Sequence, residues 1–354
     1  MPYSEVINVN IVSHSILPSP QEVMETLPLT SPLQERVAGY RRAVQRVLDG
    51  EDRRLLVVVG PCSIHDPEAA LEYGRRLKAL SEEVSDTLLL IMRVYFEKPR
   101  TVAGWKGFLN DPNLDDSFRI EEGLLRARRL LLQLVELGLP SGTEALDPIT
   151  PQFLGDLVTW TAIGARTTES QTHREMASGL STPVAFKNGT DGNIEVAINA
   201  IRSASAPHRF LGINAEGRCA VFHTRGNRYG HVVLRGGASP NYDRDSIAAC
   251  EARLRGAGLP ERIVVDCSHA NSAKDPERQP VVFRDCLDQI AGGNRSIVGL
   301  MLESHLFPGR QEIPADLGQL RYGVSVTDPC IGWEATETLL RDAHQRLAPL
   351  FRKG

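Results

Sequence analysis

The stretch LLVVVGPCSIHDPEAALEYGRRLKALSEEVSDTLLLIMRVY (55–95) decides the fold. Its first six residues are a continuous apolar run without alternation, the pattern of a strand buried on both faces. Asp66 and Pro67 then supply a helix N-cap and a first-turn proline, and Leu71, Leu77, Leu80 and Val84 recur at helical spacing. A second apolar run, Leu88 to Tyr95, follows directly. Strand, helix and strand in this order make a parallel βαβ unit.

Outward from this unit the same order repeats. Ile120, Leu124, Ala127, Leu131 and Leu134 line one face of the next helix, which Gly138 ends. Thr143 to Ala145 precedes a helix opened by Thr150 and Pro151, and Ala162 to Arg166 precedes Glu169 to Leu180. Val184 to Lys187 precedes Asn193 to Ser203, and His231 to Arg235 precedes Ser246 to Arg255. Arg262 to Asp266 precedes a helix near Val281 to Ile290, and Ile297 to Met301 leads to a last helix near Ala335 to Leu347. Eight β-then-α units predict an α/β fold, a closed (β/α)₈ TIM barrel in preference to an open doubly wound sheet.

Two stretches stand outside the repeat. Residues 1 to about 50 hold a strand-like arm and a helix from Ser31, and Phe210 to Asn214 with Cys219 to Thr224 read as a hairpin turned at Glu216 and Gly217. The expected organisation is an N-terminal arm and helix (1–50) and a catalytic barrel (51–354) carrying the hairpin at about 208–226. Both extras are candidates for regulation or assembly, since a barrel does not need them.

A length of 354 residues suits one large domain or two ordinary ones. With a net charge of −4 and no basic run, no nucleic-acid partner is expected. The apolar runs are strand-length, so no membrane span is expected, and MPYSEVINVN (1–10) has no secretory pattern. Six dispersed cysteines without a C-x-x-C pair suit reduced thiols, hence a cytoplasmic location.

In a barrel the strand C-termini point into the site. Those ends carry Cys62, Arg93 with Lys98 and Arg100 beyond it, Glu144, Arg166, Lys187, Arg235, His269 and Glu303, with Asp328 in the last loop. A thiol, an imidazole and carboxylates are the donor set of a borderline divalent metal. Each residue also has a plainer reading: Cys62 as a small buried hydrophobe, His269 as a core histidine, Glu303 and Asp328 as loop caps, the cations as surface charges. Their joint placement favours a site. Six cations without a matching carboxylate cluster repel one another unless anions are bound, and phosphates are the natural anions. No P-loop, dinucleotide fingerprint, G-x-S-x-G or H-E-x-x-H motif is present.

The segments GPCSIHD (60–66), RVYFEKPRTVAGWKG (93–107), TEALDPITPQ (143–152), AIGARTTESQTHRE (162–175), FKNGTDG (186–192), LRGG (234–237), VDCSHANS (265–272), MLESH (301–305) and YGVSVTDPCIGWE (322–334) closely resemble the type I 3-deoxy-D-arabino-heptulosonate 7-phosphate (DAHP) synthases. The resemblance covers essentially the whole chain, and KPRT and DPCIGWE make it specific. The related octulosonate-phosphate synthases share the barrel and the phosphoenolpyruvate chemistry but lack KPRT and the hairpin.

The resemblance implies a metal-dependent transferase that opens the shikimate route by joining phosphoenolpyruvate, D-erythrose 4-phosphate and water into DAHP and phosphate. It implies Cys62, His269, Glu303 and Asp328 as ligands of one divalent ion, with Mn, Fe, Co and Zn all open. Arg93, Arg166, Lys187 and Arg235 would hold phosphoenolpyruvate, and Arg100 and Thr101 the sugar phosphate. Ala165 and Asp328 are further substrate-binding positions. Lys98 would lie between the substrates as proton donor, and Glu144 would orient the attacking water.

In feedback-regulated relatives an aromatic amino acid binds where hairpin, arm and third barrel unit meet. The matching positions include Asn8, Asp147, Pro151, Gln152, Met176, Leu180, Ser181, Phe210, Gly212 and Phe222. Gly212 and Asn8 resemble the tyrosine-sensitive members, which points to L-tyrosine as inhibitor, and the arm and hairpin suggest a homodimer or homotetramer. Two other classes stay open. A Schiff-base aldolase would use Lys187 without metal, and a catalytically silent binding protein would be expected to have lost ligands or cations.

Overall fold

A computed structural model of the chain describes residues 6–100 and 104–351. Eight parallel strands close a barrel: β1 (Leu55–Gly60), β2 (Leu88–Arg93), β3 (Ser141–Glu144), β4 (Trp160–Ile163), β5 (Val184–Lys187), β8 (Gly230–Leu234), β9 (Ile263–Asp266) and β10 (Ile297–Glu303), with β10 pairing back on β1. β6 (Arg209–Ile213) and β7 (Cys219–His223) are an antiparallel hairpin between β5 and β8, with Gly212 opposite Ala220.

All the barrel strands but β3 divide their side chains between two cores. On β1, Leu56 and Val58 point inward to meet Ile91, Trp160, Ala185, Val233, Val264 and Met301. Leu55, Val57 and Val59 point outward onto the helices. Because both faces are covered, strands such as β1 and β2 read as near-continuous apolar runs. The helices are α1 (Pro20–Thr26), α2 (Ser31–Asp49), α3 (Pro67–Glu83), α4 (Ile120–Leu137), α5 (Thr150–Leu154), α6 (Gln171–Gly179), α7 (Glu195–Ala204), α8 (Arg244–Gly256), α9 (Gln279–Ala291) and α10 (Trp333–Phe351). Asp66 accepts hydrogen bonds from the Glu68 and Ala69 amides and so starts α3. Gly138 ends α4 in the left-handed conformation, φ 87°. No helix among the described residues is long and apolar enough to cross a membrane.

Two expectations about residues 1–50 need correction. The arm is not strand-like among the described residues: 6–19 carry no strand, and α1 follows, started by a capping box between Ser19 and Glu22. Nor is α2 dispensable to the barrel. Its Val44, Val47 and Leu48 belong to the inward barrel core, so this helix contributes to the packing on which the strands rest.

Candidate functional site

The strand ends bring the expected chemistry to one mouth. Ligand atoms of Cys62, Glu303 and Asp328 all lie within 4.8 Å of one another. His269 joins them less tightly, its Nε2 3.8 Å from Glu303 Oε1. His269 adopts φ 55°, a strained conformation for a non-glycine residue, and such strain persists where the surroundings over-determine it. Its Nδ1 lies 2.9 Å from Asp266 Oδ2, which leaves Nε2 facing the carboxylates. Glu303 is held in place by Gln279, whose side chain donates to its carbonyl (3.0 Å) and accepts from its amide (2.9 Å).

The donor set, one thiol sulfur, one imidazole nitrogen and two carboxylates, fits a first-row divalent cation. Without one the thiol is a poor ligand: burial, then the Glu303 charge, push Cys62 up to about 11. Lys98 opposes this, its ammonium 3.2 Å from Cys62 Sγ. Burial disfavours the charge on Lys98, but Cys62, Glu303, Glu144 and Asp328 together outweigh it and raise its pKa. Asp328 is likewise disfavoured by burial, yet Lys98, His269, Lys274 and Arg100 hold its pKa below the usual carboxylate value.

Two of the six cations are not the unpaired charges that the residue types suggested. Arg93, fully buried, reaches Glu303 Oε1 at 3.3 Å with its guanidinium 3.9 Å over the Tyr95 ring. Lys187 donates to Asp266 Oδ2 at 2.8 Å. Asp266 therefore balances both Lys187 and His269, which outweigh its burial and keep its pKa well below the usual range. Sequence reasoning missed Asp266. The available signal was a carboxylate closing the buried run IVVD (263–266) at a strand end.

Arg166 is exposed, while Ala165 and Arg235 are half-buried. Among the described residues no ion pair engages Arg166 or Arg235, which leaves two cations for an anion. Arg100 is exposed and donates from Nε to the Trp105 carbonyl (2.7 Å). Thr101 lies outside the described residues. Glu144 is buried, and its Oε1 has no hydrogen-bond partner among the described residues. It packs against Gly164 so closely that a Cβ there would lie 2.1 Å from it.

Beside the barrel lies a second cavity of about 1180 Å³. Of the regulatory candidates, Pro151, Gln152, Met176, Leu180, Ser181, Phe210 and Phe222 line it. Phe210 and Phe222 stack at 5.7 Å, and a Cβ on Gly212 would lie 2.9 Å from the Phe222 ring. Asn8, Asp147 and Gly212 are not lining residues. Asp147 is one contact removed: its amide donates to Glu97 Oε1 (3.2 Å), and Glu97 forms part of the wall. Burial, then the Asp147 charge, push the Glu97 carboxyl up to about 8.

The model of the DAHP synthetase I family matches residues 31–341. The chain is 57% identical to the Tyr-sensitive phospho-2-dehydro-3-deoxyheptonate aldolase of Escherichia coli K12, over 96% of both chains. It is 54% identical to the Phe-sensitive enzyme of that strain, over 91% of this chain and 92% of that one. A solved phospho-2-dehydro-3-deoxyheptonate aldolase from Francisella tularensis SCHU S4 superposes with a TM-score of 0.93 at 46% identity, covering 96% of this chain and 99% of that one.

Proposed function

The chain belongs to the DAHP synthetase I family, and we propose from that premise that it condenses phosphoenolpyruvate with D-erythrose 4-phosphate and water to DAHP and phosphate, under feedback by tyrosine. The observation that carries this reading is the gathering of Cys62, Glu303 and Asp328 within 4.8 Å, beside Lys98, with Arg93 on Glu303 and Arg100 acting on Asp328.

Cys62, His269, Glu303 and Asp328 would hold a divalent cation, with Mn, Fe, Co and Zn all suited to the donors. When bound, it supplies Lewis acidity toward the aldehyde oxygen of the sugar phosphate. Arg166 and Arg235, free of ion pairs among the described residues, take the phosphate and carboxylate of phosphoenolpyruvate with Arg93, Lys187 and the Ala165 backbone. Arg100 and Thr101 take the sugar phosphate and set its aldehyde against C3 of phosphoenolpyruvate. Lys98 gives a proton to the oxygen that becomes a hydroxyl as the C–C bond forms. Glu144 orients the water that attacks C2. Lys187 is engaged with Asp266 at 2.8 Å, which favours a charged clamp over a Schiff-base nucleophile.

The hairpin cavity, with Phe210 and Phe222 beside Gln152, Leu180 and Ser181, supports an aromatic effector there. The relatives' names include Tyr-, Phe- and Trp-sensitive enzymes, and the Tyr-sensitive one named above is 57% identical, against 54% and 52% for the Phe- and Trp-sensitive enzymes of the same strain. Exposed Val12 on the arm and Leu211 and Val221 on the hairpin favour a homodimer or homotetramer, which light scattering tests. Six free cysteines favour the cytoplasm. The test of function is DAHP formation from both substrates with metal, then with chelator, then with each aromatic amino acid. Tyrosine should inhibit; inhibition by phenylalanine alone would overturn the effector assignment.

A further inference from the structure

Tyr95 stands two residues beyond the end of β2, and its side chain packs with the inward barrel residues rather than with the helices. It is 1% exposed, its ring lies under the Arg93 guanidinium, and its hydroxyl has no hydrogen-bond partner among the described residues. On the neighbouring strand, Glu144 Oε1 is a second buried oxygen without a hydrogen-bond partner among the described residues. The two are level. β2 and β3 pair Met92 with Ser141 and Arg93 with Gly142, and the Val94 amide continues the ladder to the Gly142 carbonyl. Extending that register by two residues sets Tyr95 beside Glu144. Neighbouring strands run about 4.8 Å apart, so residues at one level on one face are direct neighbours.

A buried phenol or carboxylate oxygen left unpaired costs its full desolvation penalty, so both call for a polar partner. They are not bonded to each other. Burial, more than the nearby charges, raises the pKa of Tyr95 and keeps it a phenol, hence a donor. Glu144 is an acceptor when ionised. A small molecule that accepts from one and donates to the other satisfies both, and water does so with a lone pair to spare.

Resting on the reaction proposed above, we infer that Tyr95 and Glu144 together hold the water that attacks C2 of phosphoenolpyruvate. The Tyr95 hydroxyl donates to the water oxygen, and the water donates one hydrogen to Glu144 Oε1. The remaining lone pair faces C2. As the O–C2 bond forms from that pair, the O–H bond to Glu144 breaks and its proton passes to the carboxylate. Tyr95 keeps its own proton throughout and is a positioning residue. Its ring has a second duty, supporting Arg93, and the two can be separated.

The experiment compares Tyr95→Phe, Tyr95→Leu and Glu144→Gln with the wild-type metal-loaded enzyme. Steady-state kinetics are read with the solvent deuterium isotope effect on kcat, phosphoenolpyruvate binding by calorimetry, and Tm. Tyr95→Phe keeps the ring and loses the hydroxyl, so kcat should fall roughly 10- to 100-fold, with phosphoenolpyruvate affinity and Tm unchanged. The isotope effect should rise as the water step becomes limiting. Tyr95→Leu should also weaken phosphoenolpyruvate binding, because Arg93 loses its support. Combining Tyr95→Phe with Glu144→Gln should cost less than the product of the single losses, since one water is shared. A Tyr95→Phe enzyme with wild-type kcat overturns the inference. So does one whose loss lies wholly in phosphoenolpyruvate affinity, which would place the hydroxyl on substrate instead. Wild-type enzyme that makes no DAHP in the same assay overturns the reaction itself, a failure distinct from both.

Discussion

Replacing Gly164 with alanine separates the orientation of Glu144 from the stability of the barrel. The new Cβ would lie 2.1 Å from Glu144 Oε1 and 3.1 Å from its carboxyl carbon. Ordinary contact begins near 3.4 Å, so the oxygen must retreat by about 1.3 Å, the difference between 3.4 and 2.1 Å. The atom that gives way is the far end of a flexible side chain, and a displaced rotamer costs about 0.5–1.5 kcal/mol. Gly164 is not among the positive-φ glycines, so alanine fits its backbone and returns about 0.4–1 kcal/mol through the unfolded chain. The Tm should therefore move by no more than about 3 °C. Activity should not be spared, because a misplacement of about 1 Å at a reacting group can cost roughly 100-fold. Phosphate release at saturating substrates gives kcat, and a thermal melt gives Tm. A kcat close to wild type at unchanged Tm would refute the role given to Glu144. A parallel collapse of both would refute the packing argument.

Cys62→Ala should abolish turnover and lower metal affinity by calorimetry while the chain stays folded; full turnover with metal present would remove Cys62 from the site. Arg100→Ala should raise the KM for erythrose 4-phosphate about 10-fold or more and leave that for phosphoenolpyruvate nearly unchanged, as loss of a charge-assisted phosphate contact implies. Gly212→Ser brings a side chain to within 2.9 Å of the Phe222 ring, so tyrosine inhibition should weaken by on the order of 10-fold without loss of uninhibited activity. Burial lowers His231 from its usual 6.5 to about 4, against a hydrogen bond to the Tyr229 carbonyl that raises it, and its Nε2 accepts from Trp160 Nε1 at 3.0 Å. The folded state thus favours neutral His231, and the contribution is whole above pH 6.5 and lost as the pH falls toward 4. That amounts to about 3 kcal/mol, so the pH dependence of unfolding between pH 7 and 5 should flatten in His231→Gln.

The barrel was legible because buried parallel strands announce themselves as apolar runs, as LLVVVG and LLLIMR do. The third and fourth strands began earlier than expected, at Ser141 and Trp160, because SGT and WT are not apolar runs and only pairing on their neighbours makes them strands. α1 escaped because seven residues carry no helical periodicity, although Ser19, Pro20 and Glu22 were its capping signal. The site residues were readable as types at strand ends, but their charge balance was not. Lys187 and Asp266 are 79 positions apart and meet only when β5 and β9 enter one barrel. The same holds for Arg93 and Glu303. Tyr95 read as the last apolar residue of a strand, and its partnerless hydroxyl becomes visible only in three dimensions.

The central claim is that this mouth joins two phosphorylated substrates with the help of one cation held by Cys62, His269, Glu303 and Asp328. The most direct measurement follows DAHP and phosphate release from phosphoenolpyruvate and erythrose 4-phosphate before and after chelation, and again on adding back Mn, Fe, Co or Zn. The account predicts equal amounts of the two products, loss of both with chelator and recovery with at least one metal. Undiminished turnover in a fully metal-stripped enzyme, or phosphate release with no seven-carbon product, would contradict it.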